Sequence, residues 1–246
     1  EEEAGLYRRM GIEPVFLEHP PIPVDTVGAL GMERQAQFHP LKFLTAIADG
    51  LKIYEDTFAA EIRPGEVVTE KGVVHARNII LATHYPMVNA RGLYFMKLCQ
   101  HRSYVLALTG AQDPEGMYLD EQEGGLSFRT YKEYLLLGGG GHRTGESGGG
   151  WAELRRAAAA AYPHAKERYA WAAQDCVSLD AMPYIGRHRR NSRDLFVATG
   201  FNKWGMTGSM VAARLLSDLI AEGSSRYEAL FDPSRSMLHP RLFLNV

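Results

Sequence analysis

Apolar and polar positions in this chain follow two periods, and the switches between them mark its elements. The clearest case is residues 195–223, LFVATGFNKWGMTGSMVAARLLSDLIAEG. Residues 195–198 are a short apolar run with β-branched Val197, which reads as a buried strand. Gly200 and Gly205 bracket a turn carrying Asn202, Lys203 and Trp204. From Thr207 onward Met210, Val211, Arg214, Leu215, Asp218 and Leu219 step by three and four, and Gly223 stands where a helix-ending glycine belongs. A strand feeding a glycine turn into a helix brings free backbone N–H groups and a positive dipole end to one point. That point suits an anion, or a ligand atom that becomes negative during a reaction. The same residues also read as an ordinary β-turn-α unit with glycines for close packing.

The rest of the chain divides in the same way. Residues 1–12 read as the end of a helix, with Glu3, Leu6, Tyr7 and Met10 on one face and Gly11 as the stop. Residues 18–31 contain HPPIP, which excludes a helix and predicts an extended connector. Pro40 suits a first helical turn, Leu41, Phe43, Leu44, Ile47 and Ala48 give the stripe, and Gly50 ends it. Short strands are predicted at 51–54, 57–62, 67–69, 73–75 and 78–82, the last returning to a parallel sheet. Residues 103–109, 126–131 and 134–137 alternate like antiparallel strands with one wet face. A helix at 151–162 is stopped by Pro163, and 171–178 is another strand. Residues 227–235 and the tail to 246 read as an irregular strap. No internal repeat is present.

Composition narrows the classes. The chain has 246 residues, 46% apolar and 23% charged, an ordinary soluble globular balance with room for one large domain or two modest ones. A net charge of −2 gives no electrostatic case for nucleic acid. The apolar runs are far too short to span a membrane, and Glu1-Glu2-Glu3 has the wrong charge for a signal peptide. Cys99 and Cys176 are isolated, which fits a reducing cytoplasm and no disulfide framework. Nine histidines lack ligand spacing, so no metal site is expected.

Candidate chemistry is sparse. Residues 138–141, four glycines before His142, imitate a phosphate-binding loop, but neither G-x-G-x-x-G nor G-x-x-x-x-G-K-[ST] fits. They read as a flexible loop, either without function or placing His142 and Arg143 near a ligand. Arg129, within LSFRTY, lies either on a wet face or in a cavity where its fork suits a carboxylate. His84 ends a strand, at an edge where open sheets meet ligands, or is plain surface. Residues 180–186, DAMPYIG, are a turn-rich connection. No nucleophile–base–acid set or carboxylate pair is visible and the catalytic residues are unknown, so any chemistry here falls to a cofactor.

Five stretches together resemble one family: QAQFHP at 35–40, IYEDT at 53–57, NIILATH at 78–84, DAMPYIG at 180–186, and ATGF at 198–201 with WGMT at 204–207. In order and spacing they are similar to the FAD-dependent amino-acid and amine oxidoreductases that include D-amino-acid oxidase, glycine oxidase and sarcosine oxidase. FDPSR at 231–235 resembles a bacterial branch that often carries a Rieske domain after such a segment. The resemblance implies an α+β or α/β fold, an incomplete FAD-binding domain plus an antiparallel-sheet substrate domain. Residues 1–34 would be a connector and substrate-domain edge, 35–84 and 171–225 the FAD-binding parts, 85–170 the substrate sheet, and 226–246 a strap.

It also implies roles. Gly200, Phe201, Asn202, Lys203, Trp204, Gly205, Met206 and Thr207 would lie near the flavin pyrimidine edge, with the following helix stabilising negative charge on reduced flavin. Ala59 would contact adenine, and Ala82 and Thr83 the ADP portion. Arg129 would hold a substrate carboxylate, and His142 would approach flavin or substrate. The expected substrate is a small amine or amino acid. The family's opening G-x-G-x-x-G unit, which grips the FAD pyrophosphate, does not occur in this sequence, nor do the cysteine and histidine pairs of a Rieske domain. The expectation is therefore a C-terminal portion or split subunit that works with an N-terminal dinucleotide-binding segment and binds FAD weakly or not at all by itself. The other reading is a non-catalytic small-molecule-binding or assembly module that cannot hold FAD by itself, and a homo-oligomer is among the expected partners.

Overall fold

The computed structural model describes residues 2–122 and 124–236. Helix α1 (Glu2–Arg9) is followed by a short ladder in which β1 (Val15–Leu17) pairs antiparallel with β2 (Ala29–Gly31), so the end of the expected connector is a strand. Helix α2 (Pro40–Ala48) begins as its proline requires, and His39 caps it by accepting the Lys42 N–H at 3.3 Å. Its stripe forms but buries no residue. The strand expected at 51–54 does not form, and Leu51, Ile53 and Tyr54 are exposed. A strand exists only by exchanging hydrogen bonds with a neighbour, and among the described residues none lies beside this run. Strands β3 (Ala59–Arg63), β4 (Glu66–Thr69) and β5 (Gly72–His75) then form an antiparallel meander, followed by β6 (Ile79–Leu81) and a short helix α3 (Tyr94–Lys97).

Strands β7 (Leu98–Thr109), β8 (Tyr118–Leu119), β9 (Ser127–Tyr131) and β10 (Tyr134–Arg143) follow. β10 corrects the loop expected at 138–141: the four glycines are strand. The cause is close backbone approach, not mobility. A Cβ on Gly140 would sit 2.8 Å from the Gly150 carbonyl oxygen, and its φ of 61° is left-handed. Helix α4 (Trp151–Ala161) leads to β11 (Lys166–Ser178), which starts earlier than the predicted 171. The 180–186 connection ends in β12 (Tyr184–Arg187), paired antiparallel with β13 (Leu195–Thr199). The long helix α5 (Gly205–Ala221) follows, then α6 (Glu228–Phe231), a helical turn inside the expected irregular strap. The tail beyond residue 236 lies outside the described residues.

The chain divides into two compact units. The first comprises Glu1–Gly50, Ser103–His142 and Ser147–Ala172. Most of a sheet ordered β11-β7-β10-β9-β8 belongs to it. Tyr104, Leu106, Leu108, Phe128, Leu135 and Leu137 on one face of that sheet pack with Leu154 and Ala158 of α4. The second unit comprises Leu51–Arg102, Arg143–Glu146 and Ala173–Val246. Its sheet is ordered β12-β13-β6, with β13 and β6 parallel, as expected for the returning strand. Ile185, Phe196 and Ala198 on one face bury against Ala212, Leu215, Leu216 and Leu219 of α5. Ile79, Leu81 and Val197 on the other face pack with Tyr94, Leu98, Cys176 and Tyr184. No helix among the described residues is long and apolar enough to cross a membrane.

Candidate functional site

In the second unit, the carboxyl ends of the parallel strands β6 and β13 lie side by side. The Thr199 hydroxyl, fully buried, donates to the His84 carbonyl and so ties the two strand ends together. Ala82 and Thr83 are exposed beside that tie, and the Thr83 hydroxyl donates to the Tyr85 carbonyl at 3.0 Å. The chain leaves β13 through Gly200, whose φ is 68° and whose Cβ, if present, would lie 3.0 Å from Leu98 Cδ2. Glycine is favoured there, since a side chain would strain the left-handed backbone and press on its neighbours. Asn202, also left-handed at φ 55°, anchors the turn. Its N–H donates to Cys176 O at 3.1 Å, its Oδ1 accepts the Ser178 N–H at 3.0 Å, and its Nδ2 donates to Ala181 O at 3.1 Å.

This anchoring sets how α5 begins. Trp204 is its N-cap and is largely exposed, but no side chain caps the first turn. The hydroxyls of Thr207 and Ser209 donate to the carbonyls of Trp204 and Met206. The N–H groups of Gly205, Met206 and Thr207 have no helical acceptor behind them, and the dipole of a 17-residue helix adds positive potential there. A ligand oxygen or a developing anion fits this point. Lys203 is exposed on the same turn. The structure therefore gathers Ala82, Thr83 and the whole 200–207 turn at one sheet edge, the place where open α/β sheets hold ligands. Ala59 is half-buried at the start of β3 in the meander.

Three buried groups of the second unit are held uncharged. Burial pushes the Tyr94 and Tyr184 hydroxyls up, Tyr184 to about 12. His188, also buried, has its imidazole held below the usual value by desolvation, with Arg189, Lys97 and Arg91 adding repulsion. Its Nε2 lies 2.7 Å from the Val88 carbonyl, so a neutral ring donates there, and Nδ1 is buried with no hydrogen-bond partner among the described residues.

In the first unit, the register pairs Arg129 with Leu136 and Phe128 with Leu137. Phe128 and Leu137 face α4, so Arg129 points to the opposite face. Its Nε is buried with no hydrogen-bond partner among the described residues. Such a group is costly to leave unsatisfied, and a carboxylate is the ligand whose geometry answers it. Tyr131 shares that face and meets the ring of His39 edge-on at 5.3 Å. No sequence pattern joins His39 to Tyr131, because they meet only when α2 and β9 come together.

His142 is not brought to Arg129. It stacks on Tyr104 at 5.9 Å and shares a 3.1 Å hydrogen bond with the Tyr104 hydroxyl, and Tyr104 in turn meets Trp151 of α4. That is the α4 side of the sheet. The cause is the left-handed Gly140, which breaks the strand alternation just before His142. No cluster of His, Cys, Asp and Glu among the described residues could hold a metal ion.

Comparison with known proteins agrees with these features. The profile described as "FAD dependent oxidoreductase", DAO, matches residues 2–219. A Bacillus subtilis (strain 168) protein named for a Rieske 2Fe-2S iron-sulfur centre, YhfW, is 39% identical over 257 residues, covering 98% of this chain and 50% of that protein. The chain thus spans about half the length of this curated relative. Among solved structures, glycine oxidase from Geobacillus kaustophilus has a TM-score of 0.81 at 20% identity over 96% of this chain and 70% of its own. L-Proline dehydrogenase from P. horikoshii has a TM-score of 0.76 at 18% identity, covering 96% of this chain and 74% of its own. These two likenesses show the α/β and antiparallel-sheet fold of the amino-acid oxidases and dehydrogenases. The profile and the curated relative show more: this chain belongs to the family of FAD-dependent oxidoreductases.

Proposed function

We propose that this chain supplies the flavin-contacting turn and the substrate-binding sheet of an oxidoreductase that oxidises a C–N bond of an amine or amino acid. The observation that carries this reading is the uncapped start of α5 beside Ala82 and Thr83. In it, the N–H groups of Gly205, Met206 and Thr207 would hold the flavin's pyrimidine edge, and the helix dipole would favour negative charge there. FAD, held at that edge, would supply the two-electron acceptor for oxidising the carbon next to the substrate nitrogen. Arg129 holds the substrate carboxylate through its fork, consistent with a glycine oxidase and a proline dehydrogenase among the structural neighbours.

The pyrophosphate grip comes from a partner segment carrying the glycine fingerprint. Two features favour such a partner. The stripe of α2 is exposed at Leu41, Leu44 and Ile47, and the 51–54 run has no neighbouring strand among the described residues. Both are surfaces that a further α/β unit covers.

The test is an FAD titration of the 246-residue chain, alone and with a chain carrying the fingerprint, followed by anaerobic addition of glycine, proline and simple amines. The expected result is weak uptake alone, tight uptake together, and bleaching of the flavin absorbance by at least one substrate. Near-stoichiometric flavin in the purified chain alone would overturn the partner requirement. Tight flavin that no amine or amino acid bleaches would leave a binding module, not an enzyme.

A further inference from the structure

The segment after α6 is held down by one guanidinium. Arg235 places Nε 2.6 Å from Asp180 Oδ2 and Nη2 2.7 Å from Asp180 Oδ1, a bidentate pair largely withdrawn from solvent. Nη2 also donates to Met182 O at 2.6 Å and Nη1 to Pro183 O at 3.0 Å. The guanidinium lies 3.7 Å from the centroid of the Tyr184 ring. A second buried cation works on the same segment: Lys97 Nζ donates to Pro233 O at 2.7 Å. Burial raises the Asp180 carboxyl, but the Arg235 fork and charge and the Met182 N–H outweigh it and hold it below the usual range.

On its other side the 180–182 turn meets the flavin turn. Asp180 Oδ1 accepts the Met182 N–H at 3.2 Å and shapes a bend in which Ala181 takes φ 59°. The Ala181 carbonyl then accepts Asn202 Nδ2 at 3.1 Å. Two non-glycine residues, both left-handed, thus face each other across one hydrogen bond. Such conformations persist only where the surroundings over-determine them. The surroundings here are the Arg235–Asp180 pair on one side and the Cys176 and Ser178 contacts of Asn202 on the other.

We propose that Arg235 is a positioning residue for the 200–207 turn, acting through Asp180 and Ala181 on Asn202. By fixing Asn202 it fixes the direction in which Trp204 and the first N–H groups of α5 are presented. The functional weight of this relay rests on the reading of that turn as flavin-contacting; the relay itself does not. Lysine cannot replace Arg235, because a single ammonium cannot grip both carboxylate oxygens and two carbonyls in one plane.

Hydrogen exchange in the 246-residue chain tests this without flavin. The variants are Arg235→Lys, which keeps the charge and loses the fork, and Asp180→Asn, which keeps the shape and loses the charge. Both are expected to speed exchange at the Ser178 and Asn202 amides about tenfold while Val197, in the core of β13, keeps its rate. Ser178 is informative because its N–H is protected by the Asn202 side chain. Unchanged Ser178 and Asn202, with only residues 231–235 loosened, would overturn the proposal, since the pair would then merely tie down the segment. Equal acceleration at Val197 would overturn it too, as the signature of general destabilisation. FAD uptake is a separate readout. If the variants loosen the turn but the wild-type chain takes up no FAD with its fingerprint partner, the relay stands and the flavin reading fails.

Discussion

Helices α5 and α2 carry the same kind of sequence and stand in different surroundings. Each has an apolar stripe at helical spacing, and each is followed by a left-handed glycine, Gly223 at φ 80° and Gly50 at φ 78°. α5 buries four residues against β12 and β13, whereas α2 buries none. Periodicity dictates that a helix forms and which face seeks cover; it does not provide the cover. The 200–207 turn precedes the helix whose cover is present. The α2 stripe is exposed, and among the described residues no strand lies beside 51–54.

The contrast is sharpest in the helix cores. Leu215, fully buried, is expected to cost about 3 kcal/mol as Leu215→Ala in urea unfolding. A loss below roughly 1 kcal/mol, the range of surface substitutions, would mean that α5 is no better packed than α2. The two kinds of glycine come next. Gly200→Ala should destabilise by about 2 kcal/mol, because a left-handed backbone and contacts at 3.0 Å with Leu98 and 3.3 Å with Ser178 act together. Gly50→Ala has the same backbone sign but nothing within 4 Å, and should cost about half as much. Equal costs in thermal unfolding would break the distinction between a crowded turn and an open one.

Acid adds a smaller effect on the α5 side. His188 and Asp180 both have folded values below their ordinary ones, so each contributes stability that is full above the ordinary value and is lost as pH falls through the folded one. The thermal midpoint should therefore begin to drop below pH 6.5 through His188 and drop again below 3.8 through Asp180. Asp180→Asn should remove the second step and leave the first. A midpoint flat from pH 7 to 5, roughly the span over which a buried neutral histidine must charge on unfolding, would contradict the placement of His188. The smallest effect is expected in α2, where Leu44→Ala should change stability by no more than about 0.5 kcal/mol. A loss comparable with that of Leu215→Ala would show that the α2 stripe is already covered.

Much of the fold is legible in the sequence because local periodicity and turn residues agree with the tertiary answer. This holds for β13, the 200–207 turn and α5, for α4 with its stop at Pro163, and for the return of β6 to a parallel partner. The errors arise where neighbours decide. The glycines at 138–141 read as a loop, because no sequence pattern announces that a second backbone, at Gly150, will press against them. Residues 51–54 read as a strand because they are apolar, and apolarity cannot supply a partner strand. In the second unit, Gly200 and Asn202 are legible as turn residues, and in the first Arg129 is legible as an odd charge in an apolar strand. The Arg235–Asp180 pair is not, since 55 residues of chain separate its members. The placement of His142 with Tyr104 was hidden for the same reason, by the break in alternation at Gly140.

The central claim is that the start of α5 meets the flavin. Amide hydrogen exchange at Gly205, Met206 and Thr207 tests it most directly, measured in the 246-residue chain with its fingerprint partner, before and after saturation with FAD. Slowed exchange at these three amides, with the α2 amides unaffected by the flavin itself, is the predicted result. FAD bound with all three amides exchanging at their original rates would contradict it.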